Sequence, residues 1–150
     1  MNDFIKYICN ILKIRAPKLL NDASHKFTSK TRIAEIDLDN NIIYLKDDKI
    51  NYDKLFAIAH ELRHLWQSDV DHKFYFSNYQ PSDQLDIDEY NQQPAEVDAN
   101  AFGGLVMEYL FNIYATWDSF SDETCDMIYD RMEEIEDVVV FPEIDFNIQF

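Results

Sequence analysis

Apolar residues along the chain recur with two different periods, and the switches between them divide it into elements. Phe4, Ile5, Ile8, Ile11 and Leu12 fall at helical spacing between Asp3 and Ile14, and Pro17 limits any extension. Leu19 to Ser24 reads as a second short helix. The period then shortens: Ile33 to Leu38 and Ile42 to Leu45 read as two strands, joined in a hairpin through Asp39-Asn40-Asn41. Asp53 is the expected N-cap of a helix running to about Gln67. Between Asp69 and Pro94 lie Pro81, several Asp and Asn residues, and the aromatic cluster Phe74-Tyr75-Phe76. That stretch reads as an ordered loop, because so many aromatics are costly to leave in water. Pro94 stands where a helix begins, and Ala95 to Tyr114 is strongly apolar. Ser121 is a cap for a last helix to about Asp137, and Val138 to Phe141 reads as a short extended piece. The class is α+β, mostly helical, with a small antiparallel sheet.

Composition narrows the picture. With 150 residues, 47% hydrophobic and only two Gly, the chain can bury a real core and is not a low-complexity sequence. It reads as a single domain over 1–150, with a core at about 30–115 and an acidic C-terminal helix and tail at about 118–150. The formal net charge is −16, distributed as +2 over residues 1–58, −8 over 59–117 and −10 over 118–150. Direct nucleic-acid binding and an anionic membrane surface are therefore not expected. No apolar run approaches the ~20 residues of a membrane span, and the first residues lack the pattern of a secretory signal. Cys9 and Cys125 form no paired motif and read as small buried apolar residues, so a reduced, cytoplasmic setting is expected.

Chemistry enters at His60-Glu61-Leu62-Arg63-His64, an H-E-x-x-H sequence on a predicted helix. Residues four apart are neighbours on a helix, so both imidazoles can reach one metal ion. With His60 at 0° on the helical wheel, His64 lies at about 40° and Glu61 at about 100°, while Leu55, Ile58, Leu62 and Leu65 lie within the arc from roughly 140° to 260°. The histidines thus face away from the apolar stripe, with Glu61 beside them. The competing reading is two surface histidines on an amphipathic helix, but chance composition supplies only about 0.007 such matches.

Two histidines need a third protein ligand, with a position left for water. The metzincin extension is excluded, since Gln67 and Val70 stand where Gly and His are required. His72 reads as a surface imidazole. The acidic candidates are Asp86, Asp88, Glu89, Glu96 and Asp98, and Glu96 stands out. It opens the second long helix on a face shared with Asn100 and flanked by Ala99, Gly103 and Met107, where a buried carboxylate needs a counter-charge. Ala99 and Gly103 also allow close packing on the histidine helix. Asn100 is a candidate to orient an imidazole N–H. Asp98 lies about 160° further round and is expected to be exposed or to serve as a helix N-terminal charge. The plainer reading of Glu96 is an acid favoured in a helix's first turn.

His60-Glu61-Leu62-Arg63-His64 followed by Glu96-Val97-Asp98-Ala99-Asn100-Ala101-Phe102 resembles the gluzincin pattern, and more closely the small ImmA/IrrE-like metallopeptidases of phages and mobile elements. The hairpin before the first motif fits the same plan, and the resemblance covers about residues 30–115. Gly103 departs from the Ala usual after the Phe, and no segment reads as the helix-turn-helix of some relatives. The resemblance implies one Zn²⁺ per chain held by His60, His64 and Glu96, with Glu61 as general base. It also implies a phage or prophage setting. The chemistry would be hydrolysis of a peptide bond in an intracellular protein or peptide, with Glu61 activating a zinc-bound water. Tyr79 and Tyr90 are candidate oxyanion donors, and Ile42 to Leu45 is a candidate edge strand for an extended peptide. The alternative is a non-catalytic acidic protein that keeps the fold and docks a basic partner or mimics nucleic acid. A structural zinc site is disfavoured by the lack of thiolate ligands.

Overall fold

The computed structural model describes residues 1–144; residues 145–150 of the acidic tail lie outside the described residues. Helix α1 (Asn2–Leu12) ends at Lys13, whose left-handed φ of 56° turns the chain out of the helix before Ile14. Strands β1 (Lys18–Leu20), β2 (Ala34–Asp37) and β3 (Ile42–Leu45) form one sheet in the order β1-β3-β2. The β2–β3 hairpin is antiparallel, with Ile36 opposite Ile43, as the alternation predicts.

Two expectations fail at this sheet. Leu19 begins no helix: Lys18–Leu20 is a strand, parallel to β3 with Leu19 opposite Ile43. The backbone of β3 offers these residues partners that an isolated turn lacks, so tertiary pairing overrides local propensity. Pairing on both sides also makes β3 central, so Ile42 to Leu45 is not an edge, and β2 is.

Helix α2 (Tyr52–Phe76) starts two residues earlier than expected, capped by Asn51 rather than Asp53, with the Asn51 side chain accepting from the Lys54 amide at 2.9 Å. It also runs well past Gln67, so the residues after Asp69 are helical rather than loop. Asp71 leaves helical geometry and accepts from the Phe74 amide at 3.0 Å, starting a fresh turn that ends at Phe76. Of the aromatic cluster, Phe74 is in fact exposed. Helix α3 (Ile87–Asn91) opens on an Asp86/Glu89 capping box.

Helix α4 (Pro94–Phe111) is buried on every side from Ala95 to Met107, because it runs between α2 and α5 (Asp122–Glu136). Adjacent glycines make both approaches possible. A Cβ on Gly103 would meet the Phe56 ring of α2 at 2.9 Å, and one on Gly104 would meet Trp117 at 3.2 Å. Ser121 caps α5 as expected, accepting from the Thr124 amide. Val138 to Phe141 forms no strand. Phe141 instead packs on Phe102 and Tyr109, and the Pro142 carbonyl accepts from the Tyr7 hydroxyl at 2.7 Å. One apolar core joins α1, β3, α2, α4 and α5 around Phe4, Ile8, Ile43, Ile58, Leu62 and Phe102.

Candidate metal centre

The apolar stripe of α2 fixes which way its polar face looks. Leu55, Ile58, Ala59 and Leu62 are fully buried. This turns His60 and His64 toward the start of α4, where Pro94 and the preceding α3 present Glu96. His60 Nε2 lies 3.0 Å from His64 Nε2 and 3.2 Å from Glu96 Oε2, and His64 Nε2 lies 3.4 Å from Glu96 Oε1. The three ligand-type atoms all fall within 4.8 Å of one another, so the group could hold a metal ion. It is the only such group among the described residues. His72 is exposed and meets Ser68, Asp86 caps α3, and Asp88 accepts from Ser121 and Thr124; none of these approaches the centre.

The donor set fits a cation. Gln67 Nε2 donates to the Ala95 carbonyl at 2.9 Å and to Asp98 Oδ2 at 2.7 Å, which leaves Gln67 Oε1 facing His64 Nδ1 at 2.9 Å. An amide oxygen only accepts, so His64 carries its proton on Nδ1. In the neutral ring the Nε2 lone pair then points at His60 and Glu96, the state a metal ligand needs. Without a metal, burial works against the His64 cation, but Glu96 more than reverses this and pushes its pKa up to about 9. Burial also opposes the Glu96 charge, yet the facing His64 and His60 hold its carboxyl well below the usual range. A buried anion between two imidazoles is a site arranged for positive charge.

Glu61 sits beside the pair. Its Oε2 accepts from the Ile36 amide of β2 at 3.2 Å, and burial raises its pKa above the ordinary value, against the pull of His64, His60 and Arg32. Tyr79 and Tyr90 donate to Glu96 Oε1 at 2.5 and 2.8 Å and touch each other at 2.6 Å. Arg32, in the segment leading into β2, donates to the Tyr90 oxygen at 2.5 Å. Two cavities, of about 340 and 280 Å³, flank the centre, and Arg32 and Glu61 line both.

Asn100 lines the larger cavity, but its amide donates to Asn91 at 3.0 Å; the imidazole partner is Gln67. Asp98 is not exposed. It is 2% accessible and accepts from Arg63 at 2.7 and 2.9 Å, and from Arg131 at 2.8 Å. The helical wheel located its face correctly, but α5 covers that face. Two signals for this network lie in the sequence: Gln67 shares a helix face with His64, and Arg63 falls beside the apolar Ala59, Trp66 and Val70 on the helical wheel. Arg32 carries no such signal.

Residues 10–113 match the IrrE N-terminal-like domain of a peptidase family. The chain belongs to the ImmA/IrrE family. No curated protein and no solved structure matches it. The ImmA/IrrE match begins within α1, earlier than the motifs alone indicate, and takes in all three strands, α2, α3 and α4. It makes the fold that of a metallopeptidase-type family. Arg131, which completes the Asp98 pairing, lies beyond the matched span. No helix is long and apolar enough to cross a membrane, among the described residues.

Proposed function

We infer that this protein is a zinc-dependent peptidase of the gluzincin type, hydrolysing a peptide bond in an intracellular protein or peptide. The observation that carries the reading is the convergence of His60, His64 and Glu96 within 4.8 Å, with Glu61 alongside. Three nitrogen and oxygen donors without a thiolate suit an open, catalytic zinc better than a closed structural one. Zinc held there supplies Lewis acidity, which polarises a carbonyl and acidifies water.

The chain's own residues do the rest. Gln67 holds the His64 ring in the tautomer that presents Nε2, and Asp98 holds Gln67. The Tyr79 and Tyr90 hydroxyls fix one oxygen of Glu96 and leave the other toward His60. Glu61 takes a proton from the attacking water and delivers it to the amine nitrogen as the C–N bond breaks. Its raised pKa suits both halves of that transfer. The outer edge of β2 faces the site, since the Ile36 amide points at Glu61 rather than at β3. An extended peptide pairing with that edge passes both cavities.

Metal content of the purified protein by plasma mass spectrometry, beside Glu96→Ala and Glu61→Gln, tests the reading. One zinc per chain is expected in the wild type and in Glu61→Gln, with binding lost or much weakened in Glu96→Ala. Turnover of a mixed peptide pool is expected in the wild type and abolished in Glu61→Gln. No zinc on purification and none on titration would sink the proposal. Zinc without turnover would favour a docking protein, which tolerates Glu61→Gln.

A further inference from the structure

We propose that Arg32 is the residue that meets the carbonyl oxygen of the scissile bond as negative charge develops on it. The proposal rests on the peptidase reading and supplies the one role that reading leaves unfilled. Attack joins the water oxygen to the carbonyl carbon and moves the C=O π pair onto the carbonyl oxygen, while Glu61 holds the water proton. Collapse returns the pair, breaks the C–N bond and sends that proton to the amine nitrogen. Between those events the carbonyl oxygen needs a donor.

The tyrosines do not qualify. Each hydroxyl has one hydrogen, and the Tyr79, Tyr90 and Glu96 Oε1 oxygens, all within 2.8 Å of one another, use both among themselves. Tyr90 accepts from Arg32 at the same time. Arg32 has five N–H donors, of which only one on Nη2 is committed, to Tyr90. Its other charged contact is a 4.0 Å approach of Nη1 to Glu35. The guanidinium is about a quarter exposed, lies one hydroxyl away from Glu96, and lines both cavities with Glu61. Among the residues lining those two cavities it is the only Lys or Arg. Its position before β2 also brings it to the strand edge along which a peptide would pair.

A tetrahedral anion tests this without turnover. Phenylphosphonate binding is measured by calorimetry on the zinc-loaded protein, and by the visible spectrum of the cobalt-loaded one. The wild type should bind it. Arg32→Met should weaken binding at least about tenfold, and Arg32→Lys by less, because the charge remains while the fork is lost. Zinc affinity should stay within about threefold of wild type in both variants, since Arg32, unlike Gln67, bonds no ligand directly and Tyr90 reaches Glu96 on its own. Unchanged phosphonate affinity in Arg32→Met, or no binding by the zinc-loaded wild type, overturns this inference and leaves the peptidase reading standing. Parallel loss of zinc and phosphonate affinity overturns it too, by marking Arg32 as a strut for the Tyr90–Glu96 contact. Failure of the wild type to take up zinc overturns both.

Discussion

Each side chain at the centre is held by another that does not touch it by accident. His64 answers to Gln67, Gln67 to Asp98, and Asp98 to Arg63 and Arg131. Gln67→Leu removes the acceptor for the Nδ1 proton and frees the ring to rotate or change tautomer. Zinc affinity should fall about 10- to 100-fold, read by competition with a chromophoric chelator. Asp98→Asn is a harsher change, because Arg63 is buried and stacked 3.6 Å over the Trp66 ring with no other carboxylate partner among the described residues. Breaking such a pair costs about 3–5 kcal/mol, so urea denaturation should show a loss of that order. The H-E-x-x-H histidines and Glu96 are legible in the sequence because helix periodicity alone brings the first two together. Asp98 is misread because periodicity gives a face and says nothing of what covers it. Only an apolar residue on nearly every face of Ala95–Met107 hints that no side of α4 is solvent.

Among the elements, the segment between β1 and β2 carries the groove lining yet has no regular structure of its own. Glu35 ties it down, accepting from the Thr28 amide at 3.0 Å and hydroxyl at 2.7 Å and meeting His25 at 3.1 Å. Burial opposes the Glu35 charge, but the Thr28 bonds, His25 and Arg32 hold its pKa below the usual 4.5. A group depressed in this way stabilises the fold above its unfolded value, and the contribution fades as pH falls through the lower folded one. Protection factors of the amides in residues 21–33, with the intrinsic exchange rate divided out, should therefore fall below about pH 4.5 and stay level between pH 5 and 8. Glu35→Gln at neutral pH should expose Lys26 and Lys30 to trypsin faster than in wild type, with melting little changed. Strand β2 and the hairpin are legible from alternation. Strand β1 is not, because three residues carry no period and their partner lies more than twenty positions away. The last turns of α2 are likewise missed, since Asp69, Asp71 and His72 break the apolar pattern and only the restart at Asp71 keeps the helix going.

Over the whole molecule, charge and core pull in opposite directions. A net −16 on 150 residues repels itself, most strongly in the C-terminal third. Raising the salt toward about 1 M shortens the screening length to about 3 Å, so the melting temperature should climb with added chloride. A metal held at the centre would stabilise the fold further by binding only the folded form. Chelation should lower the melting temperature while leaving the helical circular dichroism intact at room temperature, because the apolar core does not depend on the centre. The Asp98 pairing spans three helices, with Arg63 on α2, Asp98 on α4 and Arg131 on α5. That arrangement sets how such chains can drift apart over generations. Loss of the carboxylate at 98 strands the Arg63 cation and takes one of two partners from both Arg131 and the Gln67 amide, so substitutions at 63, 67, 98 and 131 should travel together among relatives. A relative with an apolar residue at 67 has one fewer reason to keep Asp at 98, and a lineage that sheds α5 leaves Asp98 to Arg63 and Gln67 of α2 alone.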